Sequence, residues 1–152
     1  MDRRLRMTSH SIAKRLRATI IVRRREGILL AGDRSGLVLL PGGGIDHREL
    51  PIAAAARELH EETGLLASSL RFLFHFESPT NLHHIFFCEA EGVPVAADDA
   101  EYLVFLDRPV AESSLNLSPA TRTILTRFEA LIDSVPGSET DQHRNPLARF
   151  LV

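Results

Sequence analysis

The chain has no tryptophan, one tyrosine and one cysteine among its 152 residues, and Lys14 is its single lysine. With one thiol, Cys88, no disulfide can close within the chain, which excludes a cross-linked secreted scaffold and agrees with a reducing cytosol. Cys88 ends the apolar run Ile85-Phe86-Phe87-Cys88 and is expected to be a buried structural thiol rather than a nucleophile. No His/Cys cluster has the spacing of a zinc site. No apolar run approaches the roughly 20 residues that span a bilayer. Nothing resembles the apolar core of a secretory leader. A cytoplasmic protein without a membrane partner is therefore expected. The lack of tryptophan leaves any aromatic stacking on a ligand to a phenylalanine or to Tyr102.

What is present is ordinary in amount and uneven in placement. A hydrophobic fraction of 44% and a charged fraction of 25% suit one soluble domain with a real core. Residues 1–25 carry nine basic side chains and one acid, whereas the remainder carries nine basic and nineteen acidic ones. Such an arm could touch nucleic acid or an acidic partner. A solvated terminus is the plainer reading, and it is favoured here over a nucleic-acid role. The division expected is a basic arm over residues 1–15, one domain over 16–135 and a polar tail over 136–152, with a homodimer left open.

Ala18 to Val22 reads as a buried strand, Ile28 to Ala31 as a second and Leu37 to Leu40 as a third, with turns at 23–27 and 33–36 between them. Gly42, Gly43 and Gly44 read as a loop, where missing side chains let backbone approach a metal or phosphate. Pro51 to about Glu62 reads as a helix. Ala53 to Ala56 are strong helix formers, Pro51 suits the first helical position, and Gly64 is placed to end it. Leu50, at the N-cap, cannot cap the first amides. Strands are expected over 70–76, with Leu70, Leu73 and the phenylalanines available for burial, over 82–89 and over 102–106. Ser118-Pro119 reads as the start of a second helix with an apolar stripe of Ile124, Leu125, Phe128, Leu131 and Ile132. Pro136-Gly137 is read as its stop. This α/β pattern predicts a mixed sheet covered by two helices.

The chemistry concentrates on the first helix. Glu58, Glu61 and Glu62 fall at i, i+3 and i+4, on one face one turn apart. A run of this kind is ordinarily a solvated charged face. Three like charges that close repel unless a cation joins them. Carboxylates are hard ligands suited to Mg2+ or Mn2+, and Mg2+ so held takes further ligands from substrate phosphates. Arg57, four residues before Glu61 and eight after Glu49, can fork onto both carboxylates and orient the metal-ligand face.

These residues share one frame. Gly43, Glu49, Arg57, Glu58, Leu59, Glu61, Glu62, Gly64 and Leu65 match all nine fixed positions of the pattern G-x5-E-x7-R-E-U-x-E-E-x-G-U (U apolar) within a 23-residue window. On this motif, and on the Leu40-Pro41-Gly42-Gly43 lead-in, the chain resembles the Nudix hydrolases, including MutT-like and ADP-ribose pyrophosphatase-like members. The resemblance implies the Nudix α/β/α sandwich over about residues 16–135. It also implies Mg2+-dependent hydrolysis (Mn2+ serving as an alternative) of a nucleoside diphosphate linked to another moiety, so the partner is a nucleotide-type small molecule. The substrates left open are nucleoside triphosphate, ADP-ribose and dinucleoside polyphosphate. A Nudix-fold binding module without turnover is the alternative.

On the resemblance, Glu58 and Glu62 are metal ligands, and Glu61 is a ligand or the base. Glu49 and Arg57 act as orienters, and Gly42, Gly43, Gly44 and Tyr102 contact substrate. Many relatives carry an acidic loop downstream. Asp98, Asp99 and Glu101 occupy that region here, Glu101 being the candidate base and a solvated loop the plainer alternative. Val38 and Val104 stand near sites where many relatives have tryptophan. Pro79 stands near an offset where some ADP-ribose-cleaving relatives have proline. His83 and His84 are expected on opposite faces of their strand, more as structural groups than as substrate contacts, and His60 at the surface.

Overall fold

The computed structural model describes residues 13–135. In chain order these form β1 (Arg15–Arg24), β2 (Gly27–Gly32), β3 (Val38–Leu39), β4 (Gly42–Gly44), α1 (Pro51–Thr63), β5 (Leu66–Glu77), β6 (Asn81–Glu91), β7 (Tyr102–Leu106), a short 3-10 turn (Val110–Glu112) and α2 (Pro119–Asp133). The basic residues before position 13, the Pro136-Gly137 stop and the polar tail lie outside the described residues.

β1 organises the sheet. It runs parallel to β6 from Arg15↔Asn81 to Val22↔Cys88. The other pairings between strands are antiparallel, with β5 beyond β6 and β7 beyond β2. A strand covered on both faces is apolar on both, which is why residues 18–22 read as a continuous run. Ala18, Ile20 and Val22 pack with Ala54, Ala55 and Leu59 of α1. Ile21 packs into a second cluster with Ile85, Phe87 and the Ile124, Leu125 and Phe128 stripe of α2. The expected α/β/α sandwich, a mixed sheet between two helices, is the observed fold.

The sheet divides along β1. At Arg23 and Arg24, β1 pairs with β2, but at Arg17 to Thr19 its neighbour on that side is β4. β2 in turn pairs with β3 at Ala31 and Gly32. The strands therefore part where β1 and β2 separate, and a cleft opens there. Gly42–Gly44 is a strand rather than the expected loop. Gly42 holds φ 155 with a Cβ position that would strike the Ala18 carbonyl oxygen, so only glycine lets this strand lie so near β1.

α1 starts and stops as the sequence suggests. Leu50 is an extended N-cap without a side-chain hydrogen bond, and Pro51 follows it. Gly64, at φ 71 in the left-handed region, donates its N–H to the His60 carbonyl and ends the helix. The small Ala54 and Ala55 let the helix approach β1 closely. At α2, Ser118 does cap: its hydroxyl accepts the Thr121 N–H at 3.2 Å.

Three local expectations change. β3 has two residues, because the chain turns through Pro41 into β4 after Leu39. In β5, Phe74 is buried but Phe72 is 47% exposed, because a register shift between Phe72 and Phe74 breaks the alternation. The 3-10 turn at 110–112 carries no strong sequence signal and is held by the Glu129 carboxylate accepting the Val110 N–H at 2.8 Å.

Leu50 is 69% exposed and leaves the first amides of α1 without a side-chain acceptor. Leu50→Ser should raise the unfolding free energy by about 1 kcal/mol. Urea denaturation checks this; a variant no more stable than the parent would mean that those amides already have acceptors.

Candidate active site

The cleft has a volume of about 280 Å³ and joins both sides of the divided sheet. Ala31 to Asp33, Leu39 and Leu40 come from the β2–β3 side, and Arg15, Arg17 and Gly42 to Gly44 from the β1–β4 side. Glu58, Glu61 and Glu62 of α1 and residues 98–100 complete the lining. The helical spacing thus brings the three predicted glutamates to one place.

Arg57 arranges them. Its Nε and Nη2 fork onto the two Glu49 oxygens, each at 2.8 Å. Nη2 also donates to the Gly44 carbonyl at 3.0 Å. Nη1 donates to Glu58 at 2.9 Å and, more distantly, to Glu61 at 3.3 Å. Glu49 meanwhile accepts the Asp46 N–H at 3.0 Å, closing the turn before the helix. The bidentate grip holds the Glu49 carboxyl down at about 2 and raises the Arg57 guanidinium above its already high value.

Glu58 and Glu62 are under the opposite pressure. Glu58 packs against Gly43 so closely that a Cβ there would overlap its carboxylate. Burial pushes the Glu58 carboxyl up, with Arg57 opposing. Glu62 is buried and accepts one hydrogen bond, from the Gly42 N–H at 3.2 Å. Burial, with Glu58 adding to it, pushes the Glu62 carboxyl up to about 7. Six carboxylates line the cleft against two guanidiniums, those of Arg15 and Arg17. Among the described residues no three acidic or imidazole groups converge as a ready metal cage. Arg57 draws Glu58 and Glu61 to itself, while Glu62 turns to Gly42. A hard divalent cation nevertheless fits this donor set, since Glu58 and Glu62, two carboxylates a turn apart and both shifted up by desolvation, are only partly compensated by Arg57 and Arg17.

The acidic loop is tied to α1. Val95 N–H donates to the Thr63 carbonyl at 2.9 Å and Ala97 N–H to the Glu62 carbonyl at 3.0 Å, satisfying carbonyls at the helix end. Asp98, at φ 55, and Asp99 then line the cleft. Glu101 does not: its carboxylate accepts from Arg34 at 2.9 Å, away from the lining. The strand that begins at Tyr102 pairs with β2, and Glu101, the candidate base of the sequence, stands just before it and outside the cleft lining. Tyr102 is 45% exposed, and its ring covers Gly32, a lining residue.

The other residues singled out in the sequence lie elsewhere. Cys88 is fully buried, and burial pushes its thiol up to about 12, as suits a structural group. His83 is buried with Nδ1 2.9 Å from the Thr19 hydroxyl, and His84 contacts His75 at 3.1 Å. Neither lines the cleft. His60 is exposed. Val38 is in the core and Val104 packs against it.

Sequence reading missed Arg15 and Arg17, which it assigned to the basic arm or its edge. Their i, i+2 spacing before Ala18 was the available signal, since both extend the strand and share one side.

A NUDIX domain profile matches residues 13–128. The chain belongs to the NUDIX family. Among curated NUDIX relatives, it is 34% identical over 91 residues to an RNA pyrophosphohydrolase of Rhizobium meliloti, covering 50% of this chain and 54% of that protein. It is 43% identical over 58 residues to an RNA pyrophosphohydrolase of Cereibacter sphaeroides, covering 36% of each. The chain thus spans about half the length of these relatives or less. Among solved structures, a nudix hydrolase family member from Chromobacterium violaceum superposes with a TM-score of 0.75 at 29% identity, covering 91% of this chain and 89% of that one.

The Glu62 carboxyl, raised from 4.5 to about 7 by folding, gives a pH signature to the protein held in chelator. Folding strengthens its hold on a proton, so the stability it lends is complete below the unfolded value and lost as pH rises through the folded one. Thermal unfolding should show the parent falling below Glu62→Gln between about pH 5 and pH 8, the two converging at the acid end. Parallel profiles would contradict the assigned burial of this charge.

Proposed function

We propose that the chain is a pyrophosphohydrolase that hydrolyses the pyrophosphate bond of a nucleotide-type substrate in the cleft beside α1, with Mg2+ or Mn2+ as cofactor. The observation that carries this reading is the pair of carboxylates, half-buried Glu58 and buried Glu62, in a cleft already crowded with negative charge. A polyphosphate adds still more, so substrate and cation belong there together. The names of the curated relatives add RNA to the substrates considered. A cytoplasmic location is part of the proposal.

Glu58 and Glu62 would hold the metal, and Glu61, the most exposed of the three, is a further ligand or the base. Bound metal supplies charge neutralisation on the phosphate oxygens and the leaving group. Arg57 and Glu49 keep the carboxylates in place without touching substrate. The backbone of Gly42 to Gly44, free of side chains, allows phosphate to approach. Glu61, or Asp99 across the cleft, takes the proton from the attacking water. The water oxygen bonds to one phosphorus, the bridging P–O bond breaks, and the other phosphate group leaves with that oxygen. Tyr102 offers an exposed ring at the rim for a base to stack on.

The test is incubation with Mg2+ and a panel of nucleoside triphosphates, 5′-triphosphorylated RNA, dinucleoside polyphosphates, ADP-ribose and nucleotide sugars, with products identified by mass. Turnover of at least one group is expected, abolished by chelator and lowered about 10²–10⁴-fold in Glu62→Gln with the circular dichroism spectrum unchanged. No turnover with either cation, or full turnover by Glu62→Gln, would overturn the reading.

A further inference from the structure

Across the cleft from α1, β1 sends in two arginines. Arg15 and Arg17 stand two apart on the strand and both line the cavity. Arg17 is partly buried, and its Nη2 donates to the Gly42 carbonyl at 3.0 Å. The Arg15 guanidinium lies over Gly44, where a Cβ would come within 2.7 Å of Nη2. Among the described residues neither side chain pairs with a carboxylate, although six line the same cavity. Arg57 next door, by contrast, holds Glu49, Glu58 and Glu61. A guanidinium has five N–H donors, and two guanidiniums side by side repel; Glu62, Glu58 and Asp99 act on Arg17 only through space, so the pair keeps N–H donors for an anion that bonds them directly.

The anion they suit can be specified. Guanidinium forks match phosphate oxygens two at a time. A terminal phosphate group presents three free oxygens and a charge of about −1.5 to −2 near neutral pH. A phosphate esterified on both sides presents two free oxygens and a single charge. Two adjacent forks favour the terminal group. No aromatic ring lines the cavity among the described residues, so its floor recognises phosphate rather than base.

We propose that Arg15 and Arg17 clamp the terminal phosphate of a polyphosphate chain. The substrates of this cleft are then those whose polyphosphate ends free, a nucleoside triphosphate or the 5′-triphosphate end of an oligonucleotide, and not diphosphates capped on both sides such as ADP-ribose or a nucleotide sugar. This rests on the pyrophosphohydrolase reading above.

Calorimetric titration of the full chain with inorganic tripolyphosphate and with ADP-ribose, both in Mg2+, tests the clamp without requiring turnover. Tripolyphosphate should bind about tenfold tighter or better than ADP-ribose, and Arg15→Gln/Arg17→Gln should remove that advantage while leaving ADP-ribose within about twofold. Arg15→Gln alone, at an exposed position, serves if the double variant does not fold, and should lose part of the advantage. Equal affinities in the parent, or equal losses for both ligands in the variants, would overturn the clamp. Kinetics on a nucleoside triphosphate and on a 5′-triphosphorylated oligonucleotide separate the two sources, KM rising more than kcat falls for whichever is the substrate. Arginine-dependent tripolyphosphate binding without turnover of any substrate would uphold the clamp and remove the pyrophosphohydrolase reading.

Discussion

The Arg57 guanidinium is the interaction on which the rest of the site depends. It links three segments at once: the turn at 46–49, β4 and α1. One planar group satisfies both oxygens of Glu49, the carbonyl of Gly44 and one oxygen of Glu58. An isolated surface ion pair contributes little, but a fork that orders several segments fixes geometry as well as charge. Both Glu49 oxygens are taken up by Arg57. With Arg57 so held, Glu58 and Glu62 face the cleft with their charge only partly compensated.

The backbone supplies the second constraint. The cleft exists because β1 exchanges β2 for β4 along its length, and that exchange needs a strand that can lie flush against β1. Three consecutive glycines provide it, and they leave room for the Glu58 carboxylate at Gly43 and for the Arg15 guanidinium at Gly44. The glycine strand thus separates a carboxylate wall from a guanidinium wall. The loop at 95–99 closes the third side by hydrogen bonding to the last carbonyls of α1, so the acidic loop is tied to the helix end.

The helical part of this site was legible because helix spacing alone determines it. Glu58, Glu61 and Glu62 share a face in any α-helix, and Gly64 marks the end of this one. The core was legible for a similar reason: residues 18–22 and the stripe of α2 follow strand and helix periods. What escaped was set by long-range pairing. The glycines join β1 only because the sheet divides, which no local pattern records. Arg15 and Arg17 read as part of a charged terminus until β1 is seen to begin at Arg15. Glu101 and Asp99 are near neighbours in an acidic run, and only the pairing of β7 with β2 decides which of them faces the cleft. Phe72 turned outward through a register shift that alternation cannot anticipate.

The central claim is that Glu58 and Glu62 leave a charge deficit which a divalent cation fills. Titration of Mn2+ followed by electron paramagnetic resonance addresses it directly, because free and bound ions are distinguished without substrate. The account predicts that the protein binds Mn2+, that Mg2+ displaces it, and that Glu58→Gln weakens binding about tenfold or more, the loss expected when one charged ligand becomes neutral. Mn2+ affinity unchanged in Glu58→Gln would contradict it.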